Sequence, residues 1–445
     1  MTGNADVHEP DSMVAEMPGL DGPFSFSENL LQKIWLRGDF DCASLRTADG
    51  RSLRIVHPGR WNRLAGPDFR EARLLLDGQS LTGDVELHLY AADWQTHAHA
   101  HDPAYADVVL HVVLYPPAAH ETFTTGAQGR RLPVLALLPW LHQDLEAYAA
   151  EEAFETLAGR PATELRAFLD VLPREALLDG IALHAEKRWR QKVRFATQRL
   201  ARLGPEAACH HAALEVLGYR MNRSPMLAVA AAFPLAAWRA APDRTAAAAW
   251  EAERERWQQR GVRPANRPRM RLEQYARWVA AAPDWPVRLR EAWPRLQAAS
   301  AAAASAAEQQ GRGDDDWQVT AARRHAKLRP LRTELARLTG AAALGNGTRL
   351  DTFFCDAVLP LLAAQAQTQA EARAQANYPA TGPAQDLWPL WRIWLPGDQP
   401  DELTACLRET GLAGGRDNPP ACHGAFQGLL GWLLARSPVF RTGAK

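Results

Sequence analysis

The chain has 445 residues, of which 47% are apolar and 23% charged, the composition of a soluble globular protein. That length exceeds one ordinary core, so two or three folded units are expected. Lysine plus arginine equals aspartate plus glutamate at 51 each, which excludes a global field drawing the molecule to nucleic acid or membrane and leaves any such attraction to local patches.

Residues 1–22 are acidic and lack an apolar signal core, so they read as a disordered leader. Residues 24–37 carry Leu30, Leu31, Ile34 and Trp35 at the spacing of one helix face, with Ser27 as N-cap. Strand-like runs follow at 53–56, 72–76, 81–90 and 108–115, separated by the turn signals Asp49-Gly50, His57-Pro58-Gly59 and Asp77-Gly78. Residues 108–115 (VVLHVVLY) are nearly continuous in apolar character, which predicts a central strand buried on both faces. Residues 131–137 add a further strand. Beyond Pro139 strand signals vanish, and 143–158, 163–203, 207–219, 224–240, 244–260, 271–281, 286–310, 317–339 and 350–376 suit helices. The low-complexity stretch 299–316 reads as a linker or fraying helix end. The fold class is therefore α+β: a mixed sheet domain over 23–140, a mainly helical domain over 141–376, and an irregular or helical segment over 377–445. No apolar run reaches the roughly 18 residues of a membrane span. Five widely spaced cysteines (Cys42, Cys209, Cys355, Cys406, Cys422) point to a reducing cytoplasm rather than a disulfide scaffold.

Within 84–90 (DVELHLY), period two sets Val85, Leu87 and Leu89 on one face and Glu86 and His88 side by side on the other. The run 70–76 pairs with it as a hairpin through Asp77-Gly78. A three-residue loop then places Asp68 on the face of Glu86; a loop of two or four residues flips it away unless a bulge restores it, and Gly83 is a candidate bulge. On one face, Asp68 and Glu86 make a pair of hard oxygen ligands suited to Mg²⁺ or Mn²⁺, with His88 as proton acceptor or softer ligand. A solvated strand face would account for the same alternation.

Six of the fourteen histidines lie between His57 and His111. In an extended stretch His97, His99 and His101 would point one way; in a helix His97 and His101 would share a face. Either arrangement could hold Zn²⁺ together with Asp102. Against this stands a polar loop whose histidines merely hydrogen-bond and cap.

The order of Glu28 on the first helix, Asp68 at one strand and Glu86-Leu87-His88 on the next resembles the PD-(D/E)XK nuclease-like core, with His88 where that superfamily usually has lysine. The resemblance implies a metal-dependent phosphodiester hydrolase with Asp68 and Glu86 as ligands, Glu28 as outer acid and His88 as base or lysine substitute. A longer pattern is similar to a bacterial family known as domain of unknown function 2851. It comprises residues 66–69, 83–88, Asp93, Trp94, His97, His99, Asp102, Tyr105, Val108 and 110–113, with 222–225 and 263–266 extending it into the helical half. That likeness brings no activity, but it counts His97 and His99 in the pattern and leaves His101 out.

In the helical half, 186–203 is basic, with Lys187, Arg188, Arg190, Lys192 and Arg194 beside an apolar stripe, and can hold a phosphate backbone. A helix face answered by acids elsewhere is the plainer account. The sixteen tryptophans read as core. No G-x-S-x-G, Walker A or CxxC motif is present. Three functional readings result: a metal-dependent phosphodiester hydrolase using Mg²⁺ or Mn²⁺; a non-catalytic nucleic-acid-binding or scaffold protein on a degenerate nuclease-like core; and a zinc hydrolase built on His97, His99 and Asp102.

Overall fold

The computed structural model describes residues 26–143, 145, 147–149, 152, 169, 173–260, 262–308, 316–345, 347–375, 386–397, 401–410 and 422–436. The leader and most of the expected helix 143–158 lie outside the described residues. Helix α1 (Glu28–Arg37) forms as its apolar spacing requires. Ser27 Oγ accepts from the Leu30 amide at 3.2 Å, and Gly38 closes the helix in the left-handed conformation at φ 57°.

A seven-stranded mixed sheet follows: β1 (Leu53–His57), β2 (Arg60–Trp61), β3 (Phe69–Leu76), β4 (Gln79–His88), β5 (Val108–Val113), β6 (Phe123–Thr125) and β7 (Arg131–Ala136). Its order is β1-β3-β4-β5-β7-β6, with β2 pairing β3. β5 is central and parallel to both β4 and β7, and all six of its residues are buried, as its unbroken apolar run predicts. Strands β2 and β6 were not anticipated; runs of two and three residues give no periodicity to read.

The β3–β4 hairpin settles where Asp68 lies. Its loop has two residues, Asp77 and Gly78, both at positive φ, with Leu76 paired to Gln79. By itself that loop would turn Asp68 away from Glu86. The register slips by one residue between Ala72, paired to Gly83, and Phe69, paired to Val85. The bulge lies on β3 at Glu71 (φ 58°) rather than at Gly83, and the Glu71 amide freed from the ladder donates to Asp84 Oδ1 at 3.1 Å. Gly83 serves a different purpose: a Cβ there would meet the Val109 side chain and stand 2.5 Å from the Asp107 carbonyl, where β5 carries its own irregularity.

The parallel step from β4 to β5 needs a crossover, supplied by residues 89–107. It holds a single turn, α2 (Asp93–Thr96), and two 3₁₀ turns at His99–His101 and Pro103–Tyr105. Phe69, Val85 and Leu87 join the α1 side of the sheet, where Leu30, Leu31, Ile34 and Trp35 are buried. A small second cluster of Trp94, Val108 and Leu132, with Tyr105 against it, belongs to the crossover.

The helical half opens with α3 (Arg174–Ala232), which is broken at Gly204, Tyr219 and Asn222 and contains Pro205 and Pro225. Those breaks fall at the boundaries expected between 163–203, 207–219 and 224–240. Residues 299–308 continue the helix Trp293–Glu308 rather than forming a linker. Trp238, Trp278, Trp285, Trp391 and Trp394 are fully buried, so the tryptophans counted here build core. The two halves are clasped by a buried ion pair of Arg223 with Asp39, by Ser224 Oγ donating to the Gly38 carbonyl, and by Tyr148 donating to the Asp39 carbonyl at 2.6 Å. Among the described residues, no helix is long and apolar enough to cross a membrane.

Candidate metal centre

Glu86 and His88 occupy alternate positions of β4, and the polar face they share is not solvated: Glu86 is 6% exposed and His88 1%. The crossover covers it. Trp94 fills the space beneath, its ring centroid 5.3 Å from His99 and 5.2 Å from His111, with its indole N–H held by the Thr125 carbonyl at 3.1 Å. Neither a strand nor a helix carries the histidine-rich segment. Ala98, at φ 57°, turns the chain between the end of α2 and the following 3₁₀ turn. That turn brings the exposed His97 and the buried His99 to His88, while His101, also exposed, stays outside the group. This corrects both expected arrangements of His97, His99 and His101.

One ligand atom from each of His88, His97 and His99 lies within 4.8 Å of the other two. His88 Nε2 is 3.2 Å from His97 Nδ1. Glu86 Oε1 stands 3.6 Å from His88 Nε2 and 3.5 Å from His99 Nε2. Ligand atoms at tetrahedral corners, with bonds of about 2.0–2.1 Å, would be roughly 3.3 Å apart; the three imidazoles form one convergent group, and Glu86 Oε1 lies beside two of its members, His88 and His99. His99 Nε2 is buried with no hydrogen-bond partner, an uncommon and costly state for a buried ring nitrogen. Three imidazoles and one carboxylate suit a borderline-soft divalent cation better than Mg²⁺, which prefers oxygen.

Asp68 is half-buried just before β3, and both its oxygens are engaged. Oδ1 accepts from Gln32 Nε2 at 2.6 Å and Oδ2 from the Leu87 amide at 3.0 Å. In return the Asp68 amide donates to Glu86 Oε2 at 3.0 Å. This reciprocal pairing leaves Glu86 Oε1 as the oxygen facing the histidines. Gln32, which also accepts from Trp61 Nε1 at 3.0 Å, was not singled out from sequence. A polar residue on a helix carries no signal of a partner two elements away.

The electrostatics are those of buried charge. Burial first, then the neighbouring imidazoles, pushes His88 down to about 2; burial and then His99 pushes His111 down to about 3. Both rings are neutral, the state that can donate a lone pair. Glu86 and Asp68 are held above the usual carboxylate range, chiefly by burial. For Glu86 the Asp68 charge adds to this, and for Asp68 the Glu28 charge does. Glu28, in the first turn of α1, is also raised by burial, opposed by His97 and by a hydrogen bond from the Leu89 backbone. Glu28, Asp68 and Glu86 thus form a cluster of acids that burial and mutual repulsion keep from ionising readily.

Residues 28–252 match the family described as protein of unknown function, DUF2851. The chain belongs to that family. Neither a curated protein nor a solved structure matches it. The DUF2851 match covers the whole sheet and continues past Arg223 and Ser224, so it includes the clasp. Within it, several of the quoted motif residues have structural work in this chain. Asp93 Oδ2 accepts from the Tyr90 amide at 3.0 Å, Trp94 supports the histidines, and Tyr105 stacks on His99 at 3.8 Å between ring centroids. Asp102 Oδ1 caps the Pro103–Tyr105 turn through the Ala104 amide at 2.9 Å and is not among the three converging groups.

Three of the basic positions of α3 have polar partners, two on the same helix and one across the helical half. Arg190 pairs with Glu186 at 2.5 Å, Lys192 with Asp356 at 2.7 Å, and Arg188 reaches Gln191 at 3.2 Å. Lys187 and Arg194 are exposed.

Proposed function

We propose that this chain is a metal-dependent hydrolase, with a divalent cation held by His88, His97, His99 and Glu86, acting on a phosphodiester. The observation that carries the reading is the convergence of three imidazole donors within 4.8 Å of one another, with Glu86 Oε1 beside His88 and His99 at 3.6 and 3.5 Å. Zn²⁺ or Mn²⁺ fits this donor set. A cation held there would supply Lewis acidity to a substrate oxygen. The chain's own groups do the rest. Asp68 orients Glu86 through its backbone amide. Glu28, half-buried and with raised proton affinity, accepts the proton of the attacking water. Trp94 and Tyr105 pack against His99 and hold its ring in place.

The phosphodiester class rests on the resemblance of the Glu28, Asp68, Glu86-Leu87-His88 order to the PD-(D/E)XK core, with histidine donors taking over from the usual lysine. The reading as a non-catalytic nucleic-acid-binding protein draws on Lys187, Arg188, Arg190, Lys192 and Arg194. It is weakened by the acids that already answer Arg190 and Lys192.

The test is elemental analysis of the purified protein, followed by hydrolysis of bis-p-nitrophenyl phosphate with Zn²⁺ or Mn²⁺. Wild type should hold about one cation per chain, and Glu86→Ala should lose both the cation and turnover. A Glu86→Ala protein with full activity rejects the proposal.

A further inference from the structure

β5 is buried along its whole length, yet its fourth residue is a histidine. A neutral imidazole in such a place must satisfy one donor and one acceptor nitrogen. His111 does so in a line. Its Nε2 is 2.9 Å from His88 Nδ1 and its Nδ1 is 2.7 Å from Thr124 Oγ1. His111 is paired with Glu86 across the β4–β5 register, which places it on the face of the histidine cluster. Thr124 comes from β6, at the far edge of the sheet, and is itself buried.

We infer that His111 and Thr124 are positioning residues that fix the proton of His88 on Nδ1 and so present Nε2 to the cation. The inference rests on the metal-centre reading above. The Thr124 hydroxyl can donate or accept, so a cation on His88 Nε2 would set the direction of the line, and Thr124 is the end that can answer it. When the Thr124 hydroxyl accepts from His111 Nδ1–H, His111 Nε2 is left with its lone pair. That lone pair takes the hydrogen of His88 Nδ1, and His88 Nε2 is left bare beside His97, His99 and Glu86. Ligating histidines commonly have their second nitrogen held in this way, and loss of such a partner typically weakens metal binding by about 10–100-fold. Here the partner is a neutral imidazole, itself ended by a hydroxyl, rather than a carboxylate. The device therefore orders His88 without adding negative charge beside carboxyls that already resist ionising.

Removing the hydroxyl should act at a distance. With Thr124→Val, His111 Nδ1–H would have no acceptor in a buried site, so the ring would move its hydrogen to Nε2. That hydrogen then faces His88 Nδ1, which must act as acceptor, and the His88 hydrogen is driven onto Nε2, the atom meant for the cation. Thr124→Ser keeps the hydroxyl.

The experiment compares wild type, Thr124→Val and Thr124→Ser by competition with a chromogenic chelator for Zn²⁺ and by the visible absorption of the Co²⁺-substituted proteins. Thermal unfolding without metal controls for folding. Thr124→Val should bind Zn²⁺ about 10–100-fold more weakly and show an altered Co²⁺ band, while Thr124→Ser should match wild type in both. A Thr124→Val protein with wild-type affinity and an unchanged Co²⁺ band overturns this inference and leaves the metal centre standing. A wild-type protein that takes up neither cation overturns the metal centre and this inference together.

Discussion

At the scale of single residues, the cluster is a set of groups whose proton affinities burial moves away from the values they have in water. Two opposing pH dependences follow for the metal-free protein. Glu86 and Asp68 have folded proton affinities raised above their unfolded values, first by burial. Their contribution to stability is therefore fully present below the ordinary carboxylate range and is lost as pH rises through their elevated folded values. His88 and His111 are depressed to about 2 and about 3. Their contribution is present above the ordinary histidine range near 6.5 and is lost as pH falls toward those values. Thermal stability of the metal-free protein should thus be greatest between the ordinary carboxylate and histidine ranges, about pH 4–6.5, and decline on the alkaline side. Added Zn²⁺ should flatten the alkaline decline, because the cation favours the ionised carboxylates. An alkaline limb identical with and without Zn²⁺ would count against the centre. Period two made the shared face of Glu86 and His88 legible from sequence alone. The meeting of His97 with His99 was not legible, because it depends on Ala98 adopting a left-handed conformation that alanine rarely takes.

At the scale of elements, the decisive feature is the pair of irregularities flanking β4. Alternation and turn residues located the strands and the Asp77-Gly78 hairpin. Which face Asp68 would occupy depended on one extra residue in β3, and a glutamate at φ 58° does not advertise a bulge. Gly83 drew attention as a possible bulge, but its role is to let β4 pass close to Asp107 and Val109. Gly83→Ala should therefore destabilise the protein by about 1–3 kcal/mol, as overpacking does, and weaken Zn²⁺ binding because the strand carrying Glu86 and His88 must shift. Urea unfolding and a chelator titration check the two effects, and a neutral substitution would contradict the close approach. Thr124 went unnoticed for a simpler reason: a three-residue strand after a Pro-Pro loop has no pattern to declare it.

At the scale of the whole molecule, the sheet and the helices are tied by the buried Asp39–Arg223 pair. The α+β division was readable because strand signals stop near Pro139 and helix formers take over. The clasp was half readable. Arg223 and Ser224 belonged to a patch that stood out, whereas Asp39 follows a helix end and gives no local sign of a partner 184 residues away. Removing one member strands a buried charge, so Arg223→Met should cost about 3–5 kcal/mol, and Asp39→Leu combined with it should recover much of that loss. Calorimetry should also show whether the single substitution splits one unfolding transition into two. A double variant no more stable than the single would indicate that the pair is not a closed unit.

α1 answers to both places at once. Its first turn carries Glu28, beside the histidines, and its capping glycine offers a carbonyl to Ser224. A ten-residue helix is a stiff strut of about 15 Å, anchored at one end beside the histidine cluster and at the other in the joint between the halves. Neither anchorage can drift without tugging on the other, so damage to the joint between the halves is inherited by the histidine cluster, and harm attributed to the cluster can have begun at the joint.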